Sequence, residues 1–511
     1  MKIQRYMMVG AIALLAMAPA SFDSRADVAD DARLYMETGE FEAAMQMARQ
    51  AVQEPENAKL LGKLYQVIGE IEYASPGTRR ASRLSFEEAR QRGVAEASLY
   101  LGRLAMLDYD FAEAQRLFGE YATLQKKSKK PLDPDFEYDQ SDLAEGKRQF
   151  ARMQEIVVID AVRVPKKDLF KHLRLPLSAG RVMASNELPL HEDGVERGPG
   201  GFISESGDLI MWSEMNDSTG LLGLMEASRL MDGTLSDPVS APDFLGQEGD
   251  VINPFLSADG STLYYVANGD NSVGGYDIFL ATRDPQTGEY LQPVNAGIPF
   301  NSAADEYVMA IDEENGVGWW ATDRHYLPDG EVTLYVYILP EERRTLTASD
   351  EQKRLRARLD DIRLTWTSPA GDADDDEEEE DAEGADDKRE VEDPAALAKR
   401  YSALAAEIRK IEPGQKPRRH DCLIPLGKGR FIYSADDVKT AAEKDMVEKY
   451  IRAEKRYEAD LKRLDEMRRD YARQSSRAAS GEIAALEESV ESQRREITSL
   501  LSNLYRSLKL N

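Results

Sequence analysis

One plan of strand, glycine turn and strand occurs three times between residues 201 and 323, and it limits the architectures open to this chain. The segments are "GFISESGDLIMWSEM", "NPFLSADGSTLYYVAN" and "YVMAIDEENGVGWWATD". Their turn glycines, Gly207, Gly260 and Gly316, are spaced 53 and 56 residues apart. A further strand pattern follows each segment, and two of these lead through a tight Gly turn to a short edge strand. Repetition at this period, with several strands per unit, is typical of β-propeller blades.

The middle segment carries the motifs of a known repeat. Its "SADGSTLYY", "GGYDIF" and "TGEYLQPVNAG" closely resemble the WD40-like, TolB-like beta-propeller repeats of exported bacterial proteins. The resemblance implies a propeller over residues 156–345. Because three units are too few to close a propeller, "IVVIDAVRV" and strands at 361–366 and 422–434 are expected to complete it.

Residues 27–155 have the pattern of paired helices. The segments "ARLYMETGEFEAAMQMARQAVQEP" and "LYLGRLAMLDYDFAEAQRLFGEYATL" share one frame and resemble tetratricopeptide (TPR) repeats, whose stacked helical hairpins bind partner segments. The frame predicts that Phe41, Phe111 and Phe118 are buried between helices. Polar positions beside Ala32 and Gly102 would then face a partner. The alternative is that this TPR-like region is only a structural cap on the next domain.

The C-terminal third is predicted to be helical with one interruption. Residues 346–435 form a linker containing the acidic run 372–393, and residues 436–511 carry heptads typical of a coiled coil. The break "SSRAASG" between the two heptad series suggests an antiparallel hairpin within one chain, and an intermolecular dimer through the same residues is the alternative. The complete layout is similar to uncharacterised exported TPR proteins of Bacteroidetes. Relatives of this kind serve in cell-envelope assemblies, including secretion and gliding machinery.

The N-terminus has the order of a secretory signal peptide. Lys2 and Arg5 precede an apolar run, and small residues follow it, so cleavage after Ala20 or Ala26 is expected. The apolar run is too short for a stable membrane anchor. We therefore expect residues 1–26 to be a signal peptide and the mature chain, without a membrane span, to be exported to the periplasm or the outer membrane.

The net charge of the chain limits the classes of partner that it can bind. The formal net charge is −29, which argues against nucleic acid, because phosphates require a basic face. Residues 372–393 contain fifteen acidic and two basic side chains. A block of like charges of this kind is typical of a solvated, disordered insertion, with a calcium-collecting segment as the alternative.

The motifs of common enzymes and metal sites are missing from the sequence. There is no G-x-S-x-G elbow and no H-E-x-x-H, "GKGR" at 427–430 fits a hairpin turn better than a phosphate loop, and Cys422 is the only cysteine. A calcium loop through Asp270, Asn271 and Asp277 lacks the spacing of an EF-hand. No catalytic, cofactor-binding or metal-binding residue is therefore assigned.

Two functions remain open. The first is a non-catalytic cell-envelope scaffold or adaptor that binds protein partners through the TPR-like region, the propeller and the coiled coil, which could also self-associate. The second is a propeller-based enzyme or glycan-binding protein with a site at the channel mouth. The best candidates for that site are Asp305, Glu306, Asp323, Arg324 and His325.

Overall fold

A computed structural model provides the structure of the protein. The residues that it describes are 27–190, 195–230, 234–246, 248–284, 287–313, 315–340, 342–367, 394–410, 424–425, 431–432, 434–473 and 477–508. The predicted signal peptide, the acidic run, Cys422 and the "GKGR" turn lie outside these residues.

The N-terminal region consists of helices joined by short turns. They are α1 (Val28–Glu37), α2 (Phe41–Gln53), α3 (Leu61–Ala74), α4 (Ser82–Gln91), α5 (Ala95–Leu107), α6 (Phe111–Ser128) and α7 (Phe136–Ala151). Consecutive helices pack in pairs, α1 with α2, α3 with α4 and α5 with α6. Assignment of these pairs to the TPR family stays a prediction.

Glycine–aromatic contacts hold the helix pairs close together. A Cβ atom placed on Gly69 would lie 2.6 Å from the Phe86 ring, and one on Gly102 would lie 2.4 Å from the Phe118 ring. Gly146 on α7 has the same relation to the Phe111 ring, at 2.4 Å. Each ring therefore occupies the space that a larger side chain on the facing helix would need.

The predicted burial of the three phenylalanines is only partly right. Phe111 and Phe118 are buried as expected, but Phe41 is 39% exposed. Position in the helix does not explain the difference, because Phe41 and Phe111 are each the first residue of a helix. The Phe111 ring packs against Gly146 on α7. The small residues Ala44, Ala48 and Ala51 form the buried face of α2 instead.

The central region contains three small antiparallel sheets. Their strands in chain order are β1 (Val157–Pro165), β2 (Arg181–Ala184), β3 (Arg197–Ile203), β4 (Leu209–Asn216), β5 (Leu221–Ser228), β6 (Val239–Ser240), β7 (Val251–Leu256), β8 (Thr262–Ala267), β9 (Asp277–Thr282), β10 (Val294–Asn295), β11 (Glu306–Asp312), β12 (Val317–Thr322) and β13 (Glu331–Ile338). The sheet orders are β2-β3-β4-β5-β6, β10-β9-β8-β7 and β1-β13-β12-β11. One hydrophobic cluster runs through all three.

The three glycine turns predicted from the repeat join β3 to β4, β7 to β8 and β11 to β12. Gly207, Gly260 and Gly316 have φ values of +71°, +72° and +64°, which favour glycine. In the second turn, Ser257 Oγ donates to Asp259 Oδ1 at 2.6 Å and accepts from Thr262 N at 2.9 Å. The repeat therefore predicts the hairpins and their turn chemistry correctly.

The propeller prediction is wrong, because the three sheets form no closed barrel or propeller among the described residues. The edge strand β1 is covered by a turn instead of a further strand. Val158 N donates to Thr365 Oγ1 at 2.9 Å, and Trp366 Nε1 donates to Val158 O at 2.7 Å. Side chains thus satisfy backbone groups that another strand would pair with.

Of the three segments expected to complete the propeller, "IVVIDAVRV" supplies β1 of the third sheet, and the other two do something else. Within 361–366, Ile362–Thr365 forms a 3₁₀ turn started by Asp361, whose carboxylate accepts from Arg363 N at 3.0 Å. Within 422–434, β14 (Ile424–Pro425) and β15 (Phe431–Ile432) pair with each other. Their buried side chains pack on the C-terminal helices, so they are not part of the three sheets.

The remaining helices are α8 (Asp350–Arg358), α9 (Pro394–Ile408), α10 (Ala441–Arg473) and α11 (Arg477–Ser507). The last two pack on each other within one chain, as the hairpin alternative predicted. Arg468 and Arg494 dock this hairpin on two sheet turns by donating to Ser206 O and Ala258 O. None of the helices among the described residues has the length and apolar character needed to cross a bilayer.

Candidate functional site

The five residues proposed for a channel-mouth site lie where β11 begins and β12 ends. Antiparallel pairing places Glu306 opposite Thr322, so the five residues from the two strand ends are close together. Their side chains nevertheless divide into three groups with different partners. The alternative function, an enzyme or glycan-binding protein, was assigned to the mouth of a propeller channel. The described sheets enclose no such channel.

Glu306 and Arg324 form a buried ion pair that ties three segments together. Their side chains are 0% and 3% exposed, with Arg324 Nη2 at 3.4 Å from Glu306 Oε1. Arg324 also donates to the backbone oxygens of Phe300 at 2.6 Å, Pro299 at 2.8 Å and Ala357 at 3.1 Å. Because these contacts use most of the donors of the guanidinium group, the geometry supports a structural role.

The hydroxyl group of Tyr307 contacts the carboxylates of both Asp305 and Asp323. Tyr307 Oη donates to Asp323 Oδ2 at 2.9 Å and lies 3.4 Å from Asp305 Oδ2. Asp305 N also donates to Asp323 Oδ1 at 2.9 Å. Burial, together with the nearby Asp305 carboxylate, raises the pKa of Asp323 to about 6. Burial also raises the pKa of Asp305.

His325 faces a third set of partners. Its Nε2 atom is 2.6 Å from Tyr335 Oη, and its Nδ1 atom is 3.6 Å from Asp360 Oδ1. Burial and the neighbouring Arg324 charge lower the pKa of His325 to about 4. The imidazole is therefore neutral near pH 7 and serves as a hydrogen-bonding group.

The proposed calcium loop is held together by an amide side chain. Asn295 Nδ2 donates to Asp277 Oδ2 at 2.6 Å and to Asn271 O at 2.9 Å, while Asp270 is exposed. Val273 N donates to Asp277 as well, at 2.9 Å. Within the described part of the chain, no group of three His, Cys, Asp or Glu side chains could hold a metal ion.

A polar stripe crosses the helical region and was not found from the sequence. We term it the helical polar face; its half-buried residues are Arg33, Glu70, Tyr73, Glu96, Tyr100 and Arg103, and two further members, Gln66 and Asp139, are buried. Ion pairs connect α1 to α3 and α5 to α7. Arg33 Nη2 is 3.1 Å from Glu70 Oε2, and Arg103 Nη2 is 2.8 Å from Asp139 Oδ2.

The aromatic members of this face are packed among the charges. The Tyr73 and Tyr100 rings meet edge to face with centroids 5.2 Å apart, and the Arg103 guanidinium lies 5.3 Å from the Tyr100 ring centre. Burial raises the pKa of Glu70, and Arg33 opposes that shift. The partners in each ion pair are 37 and 36 positions apart, close to one TPR period. That spacing was the one sequence signal that could have identified the face.

A cavity of about 450 Å³ beside β1 was also not found from the sequence. We term it the β1 cavity; its lining residues are Asp160, Ala161, Val162, Arg163, His172, Arg174, Trp319, Leu334 and Arg409. They come from segments up to 249 positions apart, as in the contact between Asp160 and Arg409. No local motif could have revealed this grouping.

Comparison with known proteins assigns neither a family nor a function to this chain. No protein-family model matches the chain, and neither a curated protein nor a solved structure shows significant similarity to it.

Proposed function

We propose that this protein is a non-catalytic scaffold or adaptor of the cell envelope that binds protein partners through its helical polar face. The proposal includes export, which is supported by the charged, apolar and small-residue order of residues 1–26. The resemblance of the layout to exported TPR proteins supports the same compartment.

The observation that carries the proposal is the continuity of the helical polar face across successive helix pairs. Charges and aromatic rings alternate along it, and ion pairs between helices hold them in position. Side chains held in this way lose little further rotamer entropy when a partner binds. Aromatic rings and arginines are also the side chains that contribute most often to binding energy at protein interfaces.

The packing of the helical region on the sheets supports a scaffold role. Ile298, Ala304, Tyr326 and Leu346 belong to the same hydrophobic cluster as the helical core. The Arg79 guanidinium lies 4.1 Å from the Tyr326 ring centre. A partner bound to the helices would therefore be held in a defined position relative to the sheets.

Point variants test this proposal better than a truncation. Removing the helices would uncover the shared hydrophobic cluster, so a loss of binding could reflect misfolding. We suggest Arg33→Ala, on the helical polar face, and the matched variant Arg49→Ala. Arg49 is also paired with a glutamate of α3, Glu72, at 3.3 Å. Glu72 lies two positions after Glu70, so it projects from another side of α3.

The measurement is capture of envelope proteins by the purified mature chain, quantified for both variants. Arg33→Ala should reduce capture of the principal partner about tenfold, the order expected for one arginine contact at an interface. Arg49→Ala should leave capture unchanged, and both variants should melt within a few degrees of the wild type. Equal capture by all three proteins would contradict use of this face.

A further inference from the structure

The C-terminal helices and the β14–β15 hairpin form a unit with a core of its own. We term this unit the C-terminal arm; it spans residues 424–508. One of its hydrophobic clusters contains Val447 and Tyr450 and the other contains Leu464 and Ile483, and every member of both clusters comes from within the arm. The N-terminal helices, in contrast, share a cluster with the sheets. The arm therefore has the separate apolar core that is typical of an independently folded part of a chain.

Backbone oxygens of two sheet turns accept hydrogen bonds from arginines of the arm. Arg494 Nη2, on α11, donates to Ala258 O at 2.6 Å. Arg468 Nη1, on α10, donates to Ser206 O. Both acceptors lie in glycine turns, one between β3 and β4 and the other between β7 and β8. The arm is thus held at the tips of the turns by polar groups.

A further polar contact joins the core of the arm to the first of these turns. The Tyr457 hydroxyl group donates to the Glu205 carboxylate, while the Tyr457 ring belongs to the same cluster as Leu464. The hydroxyl group can therefore be removed without removing the ring from the core of the arm.

A polar cavity of about 500 Å³ lies between the arm and the same two turns. Ser206, Asp208 and Asp259 of the turns line it together with Arg494 of the arm. An interface that encloses a cavity of this size lacks the close packing of a protein interior. Parts of a chain that meet through polar contacts move relative to each other unless a large hydrophobic interface joins them.

We propose that the C-terminal arm exchanges, as a folded unit, between a docked position on the two turns and an undocked position. Undocking opens the cavity and frees the backbone oxygens of Ser206 and Ala258 for a donor outside the chain. Salt favours the undocked position, because it screens the attraction between the arginines of the arm and turn carboxylates such as Asp208, on which the Arg468 charge acts. This exchange does not involve the helical polar face and does not depend on the proposed scaffold function.

Distance measurement by pulsed electron paramagnetic resonance on the full mature chain tests the proposal. Spin labels are attached at Thr282→Cys, exposed at the end of β9, and at Ser499→Cys, exposed on α11, in a Cys422→Ser background. The wild-type contacts should give one narrow docked distance and a second, longer component. The share of the longer component should rise between about 0.1 M and about 1 M salt, where the Debye length falls from about 10 Å to about 3 Å.

Two variants remove docking contacts and leave the core of the arm in place. Arg494→Ala and Tyr457→Phe should each increase the ratio of undocked to docked arm about two- to tenfold, the order expected for losing one intramolecular hydrogen bond. Arg495→Ala and Tyr505→Phe are the matched controls. Arg495 is paired with Glu491 within α11 at 3.3 Å, and Tyr505 packs in the other cluster of the arm. Both controls should keep the wild-type ratio.

Hydrogen exchange of the α10 and α11 amides distinguishes undocking from unfolding. Because the arm has its own core, these amides should stay as protected in Arg494→Ala and Tyr457→Phe as in the wild type.

Three results would overturn the proposal. The first is one narrow distance that neither salt nor the two variants change, which would show that the arm is fixed on the turns. The second is the same distance distribution for each variant and its matched control. The third is loss of amide protection in α10 and α11 whenever the longer distance appears, which would show that the arm unfolds when it leaves the turns.

Discussion

At the scale of single residues, burial decides what the acidic side chains near β11 and β12 do. Glu306 has a buried arginine and several hydroxyl and backbone donors around it. The carboxylates of Asp305 and Asp323, in contrast, lie close together, because both contact the Tyr307 hydroxyl group. Two carboxylates in a buried environment repel each other and favour retention of a proton. The pair therefore makes stability depend on pH.

Asp323→Asn should remove much of this pH dependence. The pKa of Asp323 rises from 3.8 to about 6 on folding, so the folded state holds a proton that the unfolded state releases between those values. The stabilisation is complete below about pH 4 and is lost as the pH rises through 6. The free energy of unfolding of the variant should therefore exceed that of the wild type at pH 7.5, by up to about 3 kcal/mol.

Denaturant unfolding at pH 4, 5, 6 and 7.5 measures this difference. The exposed aspartate of the β4–β5 turn gives the control Asp217→Asn, which should follow the wild type at every pH. The prediction fails if Asp323→Asn is less stable than the wild type at pH 7.5. That outcome would mean that the ionised carboxylate stabilises the fold through Tyr307.

At the scale of secondary-structure elements, the helices approach closely because a glycine faces an aromatic ring. The three such contacts join α3 to α4, α5 to α6 and α6 to α7. Glycine in the middle of a helix normally destabilises it relative to alanine, by about 1 kcal/mol. At these positions the loss is offset by aromatic packing that a methyl group would prevent.

Gly102→Ala should therefore destabilise the protein although alanine is the better helix former. The new methyl group would lie 2.4 Å from Phe118 Cε1, so the ring or the helix must move, at a cost of about 1–3 kcal/mol. Gly119→Ala, on the exposed side of α6, has no atom within 4 Å and should stabilise by about 0.5–1 kcal/mol. Chemical denaturation of both variants measures whether each substitution raises or lowers the free energy of unfolding. A stabilised Gly102→Ala would contradict the packing argument.

At the scale of the whole molecule, the charge is unevenly distributed along the chain. The run 372–393 contains fifteen acidic and two basic residues, a large part of the net charge of −29. Both of its neighbours in the chain, the Ile362–Thr365 turn and α9, contact β1. A high net charge destabilises a compact state through self-repulsion, and salt screens that repulsion.

Deletion of residues 372–393 should leave the melting temperature unchanged or raise it. The expected increase is largest at low ionic strength and becomes negligible near 0.5 M salt, where the Debye length is only about 4 Å. Thermal melts of the full and deleted chains at several salt concentrations make this comparison. A lower melting temperature of the deleted chain at every salt concentration would show that the run stabilises the fold by pairing with basic groups.

The sequence by itself determined the local units of this protein. Alternating apolar residues around Gly207, Gly260 and Gly316 specify the three hairpins, because these turns need a positive φ that glycine adopts without strain. Heptads specify the pair α10 and α11, and small residues at helical spacing specify the N-terminal helices. Phe41 shows the limit of the pattern, since it holds the same place in the frame as Phe111 and is exposed, whereas the Phe111 ring is buried against α7.

Only the tertiary structure decided how these units are combined. A repeat period contains no information on closure, so it could not show that Thr365 and Trp366 would satisfy the edge of β1. The ion-pair spacing of 37 and 36 positions was one sequence signal for the helical polar face, whereas no local motif marks the β1 cavity. The β1 cavity depends on a contact between Asp160 and Arg409 across 249 positions, and such a contact exists only after the chain has folded. Local preferences act over a few residues, whereas charge compensation and cavity shape arise from segments that meet only in three dimensions.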